Sequence, residues 1–72
     1  MEPTLFALRG EHITLDALLK ATGLAHSGGG AKVLIAEGQV LVSGEVETRR
    51  GRKLRAGDAV QLAGHRVQVQ AP

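Results

Sequence analysis

The 72-residue chain has no cysteine, tryptophan or tyrosine, one phenylalanine and two prolines. Without cysteine, disulfides, thiolate metal sites and cysteine nucleophiles are excluded, and an uncrosslinked chain of this size fits a reducing compartment better than secretion. With Phe6 as its single aromatic ring, the chain cannot stack several bases, as RRM-like and cold-shock-like surfaces do. No unbroken apolar run exceeds four residues, as at Val33 to Ala36, against the ~20 that a membrane-spanning helix needs. The opening Met1-Glu2-Pro3 has neither the basic nor the apolar region of a secretory signal. These absences lead to the expectation of a cytoplasmic protein of one domain, residues 1–72, with no cofactor, metal, small-molecule substrate or membrane attachment.

What is present is an uneven charge distribution. The net charge is only +2, yet residues 1–48 carry three basic and six acidic side chains. Residues 49–55 then hold Arg49, Arg50, Arg52, Lys53 and Arg55 with no acid, five of the nine cations in the chain. Such a cluster repels itself unless something negative neutralises it. One possibility is a solvated loop whose arginines pair with Glu45 and Glu47 as weak surface ion pairs. The other is a site for a polyanion.

Hydropathy periodicity divides the chain into elements. Thr4 to Arg9 alternates with Phe6 and Leu8 on one face, a strand pattern. Thr14 is placed to cap a helix over Leu15–Thr22, with Leu15, Leu18 and Leu19 at helical spacing and Gly23 as the left-handed stop. Ser27 is placed to cap a second helix over Gly28–Glu37, with Ala31, Leu34 and Ile35 as its buried stripe and Gly38 as its stop. From Gln39 the period becomes two: a hairpin turning at Ser43-Gly44, a turn at Ala56-Gly57-Asp58, a strand at Ala59–Leu62, a turn at Gly64, and a strand in which Val67 and Val69 alternate with Arg66, Gln68 and Gln70.

The stretch Ser27-Gly28-Gly29-Gly30-Ala31-Lys32 is unusual because glycine at a helix start lowers stability, by about 1 kcal/mol each if fully interior. Glycine does leave an open helix N-terminus, whose free amides and dipole favour an anion and which a backbone can approach closely. The stretch is neither a nucleotide-binding P-loop, since Gly29 stands where the lysine is needed, nor a dinucleotide fingerprint, since Val33 stands where the third glycine belongs. His12, His26 and His65 match no metal-ligand spacing, though His26 adjoins the glycine stretch. No carboxylates are spaced as an acid–base pair, and no third group orients His26 and Ser27 as a nucleophile. The two helices are not a sequence-reading helix-turn-helix either, because the exposed positions of the second (Gly28, Gly29, Lys32, Val33, Ala36) lack the Arg, Asn or Gln that reads base edges.

Ile13-Thr14-Leu15-Asp16-Ala17-Leu18-Leu19-Lys20, then Gly23-Leu24, Ser27-Gly28-Gly29, Ala31-Lys32, Leu34-Ile35, Gly38-Gln39-Val40 and Val42-Ser43-Gly44 resemble the αL RNA-binding motif, the domain first described in the small-subunit ribosomal protein S-four. The run Glu45 to Leu54, closing with Gly57-Asp58, resembles the short stand-alone bacterial members of that family, the YbcJ-type proteins. The likeness extends from about Phe6 to Val69. Two positions depart from it: Gly30, where members often carry a glutamate that completes a capping box, and Ser43, where they usually carry asparagine.

The resemblance implies an α+β fold, two packed short helices against a small antiparallel β-sheet. It implies binding of structured RNA, ribosomal or transfer RNA, with the ribosome or its assembly intermediates as the setting, and no catalysis. Carried over, the RNA-binding residues are Ser27, Gly28, Gly29 and Lys32 on the second helix, Lys20 at the end of the first, and Arg49, Arg50, Arg52, Lys53 and Arg55 of the basic segment. The two patches are expected side by side, against one sugar–phosphate ridge. Five phosphate contacts correspond to a log–log salt slope of about −3.5 to −4.5. The competing readings are a protein-interaction module that docks the basic segment on an acidic partner, and a duplex DNA binder.

Overall fold

The period-two segments pair into two sheets, and the two leucine- and alanine-striped segments form helices against them. A computed structural model describes residues 3–72; Met1 and Glu2 lie outside the described residues. In chain order the elements are β1 (Thr4–Ala7), β2 (Ile13–Thr14), α1 (Leu15–Ala21), α2 (Gly28–Ala36), β3 (Leu41–Val42), β4 (Glu45–Val46), β5 (Lys53–Leu54), β6 (Ala59–Leu62) and β7 (His65–Gln70). Five strands form one sheet in the order β1-β7-β6-β3-β4, and β2 pairs with β5 separately.

The architecture is α+β, as expected, with one difference in strand direction. β1 joins β7 in parallel, Phe6 opposite Val69, while every other pairing is antiparallel. The parallel edge comes from the two ends of the chain, and no local pattern specifies the direction in which such distant segments meet.

α1 has only seven residues, too short to persist in water by itself. It persists because Leu15, Leu18 and Leu19 are fully buried, each side chain contributing about 1.5–3 kcal/mol relative to exposure. Ala31 and Ile35 of α2 meet them, and Val42, Val60, Leu62, Val67 and Val69 complete the core from the inner face of the sheet, with Leu24 and Leu34 packed at its margin. Gly23 adopts φ +80° after α1, and the Ala25 N–H returns to the Leu19 carbonyl at 3.0 Å, a left-handed helix stop of the expected kind.

Both hairpin turns have positive φ at their two central residues: Ser43 +49° with Gly44 +88°, and Ala63 +50° with Gly64 +82°. That is the signature of type I′ turns, whose twist matches the flanking strands. Ser43 therefore takes the left-handed position of the turn, where the resemblance led to an expectation of asparagine.

Candidate nucleic-acid interface

The basic segment is held by backbone groups and by one buried leucine, while its cationic side chains stay at the surface. The first two amides of α1 have no partner inside their own helix. Here the Leu15 N–H donates to the Arg52 carbonyl at 2.9 Å and the Asp16 N–H to the Arg50 carbonyl at 3.1 Å. Thr14 occupies the cap position but makes no side-chain cap bond, so the loop carbonyls do part of the work expected of its hydroxyl. Within the segment, Lys53 and Leu54 form β5 opposite Thr14 and Ile13. Leu54 is fully buried and anchors the segment in the core. At its far end the Arg55 N–H donates to Asp58 Oδ2 at 2.8 Å.

Glu47 divides the five cations into two groups. It is 7% exposed, and a carboxylate so placed needs partners for its charge. Arg49 donates to it from Nε and from its backbone N–H, both to Oε2 at 3.1 Å, and from Nη2 to Oε1 at 3.1 Å. Arg52 Nη1 donates to Oε1 at 2.8 Å. The Arg49 side chain, then Arg52, then the Arg49 amide hold the Glu47 carboxyl down to about 2, and the same contact raises the Arg49 guanidinium above its ordinary value. Pairing with Glu47 is thus real for Arg49 and Arg52, while Glu45 forms no ion pair among the described residues. Arg50, Lys53 and Arg55 are exposed and form no ion pair among the described residues.

The second patch is the start of α2. Ser27 Oγ accepts the Gly30 N–H at 3.0 Å, so this N-terminus is capped at one position and the amides of Gly28 and Gly29 remain for another acceptor. A Cβ built at Gly28 meets no atom within 4 Å, and one at Gly29 meets only Ser27 Oγ at 3.9 Å. Packing therefore does not require glycine there. Ser27, Gly28, Gly29, Lys32, Lys20 and His26 are all exposed.

The two patches hang from opposite ends of α1. The basic segment is bonded to its first amides, whereas the Ala25–Leu19 bond starts the approach to α2 from its last turn. A seven-residue helix is about 10 Å long. Glu47 as a clamp and Leu54 as an anchor carry this geometry. The sequence signal for the first is the Glu47-x-Arg49 spacing, and for the second a lone leucine amid cations.

Comparison with known proteins places this geometry in a family. The S4 domain family matches residues 6–70. The Escherichia coli (strain K12) protein described as putative RNA-binding protein YbcJ is 55% identical over 60 residues, covering 83% of this chain and 86% of that one. The Bacillus subtilis (strain 168) protein described as probable ribosome maturation protein RlbA is 48% identical over 54 residues, covering 75% of this chain and 76% of its own. The solution structure of E. coli YbcJ, described as revealing an αL motif involved in RNA-binding, superposes with a TM-score of 0.75 at 49% identity, covering 99% of this chain and 91% of the other. By sequence and by fold, the chain belongs to the S4 domain family.

Proposed function

We propose that this protein is a non-catalytic, cytoplasmic RNA-binding module that grips the phosphate backbone of structured RNA. One observation carries the reading: the side chains of Arg50, Lys53 and Arg55 form no salt bridge among the described residues, Arg50 having only a weaker attraction to Asp16, yet the backbone beneath them is fixed to α1, β2 and Asp58. Cations outside any salt bridge on a preorganised backbone favour a polyanion, because little backbone ordering is left to do on binding. The open amides of Gly28 and Gly29, with Lys32 and Lys20 nearby in the chain, supply a second phosphate contact. With one aromatic ring in the chain, recognition works through shape and charge, the usual mode for folded RNA.

The target is ribosomal or transfer RNA, and the setting is ribosome maturation. The descriptions of the E. coli relative as a putative RNA-binding protein and of the B. subtilis relative as a probable ribosome maturation protein support this reading. Ultraviolet crosslinking in cells, followed by sequencing of the attached nucleic acid, tests it. Ribosomal RNA or its precursors should dominate the recovered sequences. Recovery of duplex DNA, or equal affinity for DNA and RNA hairpins of matched length in vitro, overturns it.

A further inference from the structure

The outer face of the five-stranded sheet is not used by the reading above. Val42, Val60, Val67 and Val69 point into the core beneath the helices, so their strand neighbours point away from it. Register then sets Val46, Leu41, Gln61 and Arg66 side by side across β4, β3, β6 and β7. Gln68, two residues beyond Arg66, lies opposite Leu5 of β1. Among the described residues, two of the three large apolar side chains that are strongly exposed, Leu5 at 60% and Val46 at 58%, fall on this face, one on each edge strand. No aspartate, glutamate or lysine stands in these rows, and Arg66 forms no ion pair among the described residues.

We propose that this face docks a partner protein that presents a carboxylate to Arg66 and covers the apolar side chains at its two edges. The composition decides the class of occupant. Interface centres are depleted in Lys, Glu and Asp and enriched in Arg, as this face is. An RNA-binding face needs several cations, and here there is one. A second copy of this chain, docked through the same rows, would bring no carboxylate to meet Arg66, so it does not supply the complementary charge. The five strands give a face of roughly 20 Å by 14 Å, on the order of 300 Å² against about 800 Å² per partner in a stable complex. The contact is therefore transient. It also leaves the basic segment, bonded to α1 in the helix layer, free for RNA.

The test is photo-crosslinking in cells from the full chain, with a benzophenone amino acid in place of the exposed Gln70 at the margin of the face. Samples are treated with nuclease and the adducts identified by mass spectrometry. The expected result is one protein, joined through a peptide that carries an aspartate or glutamate. Arg66→Glu should reduce the yield at least tenfold, and changing that partner carboxylate to lysine should restore it. Arg50→Ser/Lys53→Ser/Arg55→Ser, which removes the proposed RNA contacts, should leave the adduct unchanged, so failure of the RNA reading and failure of this one are distinguishable. Thermal melts establish that each variant is folded. Absence of a protein adduct, an adduct with a second copy or with RNA, or an adduct indifferent to Arg66→Glu overturns the proposal.

Discussion

Replacing Arg50, Lys53 and Arg55 together by serine removes the three cations of the basic segment that form no salt bridge among the described residues. Each phosphate contact contributes about −0.7 to −0.9 to the slope of log affinity against log salt. The triple variant should therefore bind an RNA hairpin with a slope about 2–2.7 shallower than the unmodified protein. Over a fourfold rise, from about 50 to 200 mM salt, those contacts correspond to roughly a 20- to 40-fold loss of affinity, which the variant should no longer show. Fluorescence anisotropy at several salt concentrations measures the slope, and circular dichroism confirms the fold. The paired double variant, Arg49→Ser/Arg52→Ser, is the informative control. It strips partners from a carboxylate that is only 7% exposed, so it should lower the unfolding temperature while changing the slope less than the triple variant does. An unchanged slope in the triple variant, or a larger change in the double variant, would refute the division of the segment by Glu47.

Acid should expose the same clamp in another way. Glu47 is depressed from 4.5 to about 2 in the folded chain, so its contribution to stability is complete above about 4.5 and disappears as pH falls through about 2. Denaturant titrations at stepped pH should show that loss, and Glu47→Gln should remove this component of the pH dependence. At the start of α2, Gly28→Ala/Gly29→Ala should raise the unfolding temperature, since alanine is the better helix former by up to about 1 kcal/mol per site. It should also weaken RNA binding about tenfold, the scale of one lost charge-assisted hydrogen bond; undiminished affinity would show that no phosphate approaches that backbone. Ala63 holds φ +50°, costly for a residue with a Cβ. Ala63→Asn should raise stability by about 0.5–1 kcal/mol, roughly 2–8 °C in melting temperature, and leave RNA binding as it was.

Elements governed by local chemistry were legible in the sequence. The helices observed, Leu15–Ala21 and Gly28–Ala36, end within one residue of the spans read from leucine spacing and glycine stops. Ala59–Leu62 forms the strand expected of it. Periodicity and left-handed glycines act within a turn or two, so they survive without tertiary context. The chemistry of the candidate site was legible for a similar reason: five cations in seven residues and a glycine-rich helix start are properties of short segments.

Whatever depends on contacts between distant segments was decided by the tertiary structure. Two-residue strands such as β2 and β5 are too short to show a period, and they exist because Ile13 and Leu54 meet across the fold. The parallel union of β1 with β7 joins residues more than sixty positions apart. The burial of Glu47, whose carboxylate pairs with Arg49 and Arg52 but with none of the other three cations of the segment, follows from the Glu47 amide bonding to the Val40 carbonyl as the hairpin closes. By itself the sequence determined which residues carry charge and which segments coil or extend. Only the folded chain decided which charges neutralise one another, because neutralisation depends on distance and burial in three dimensions.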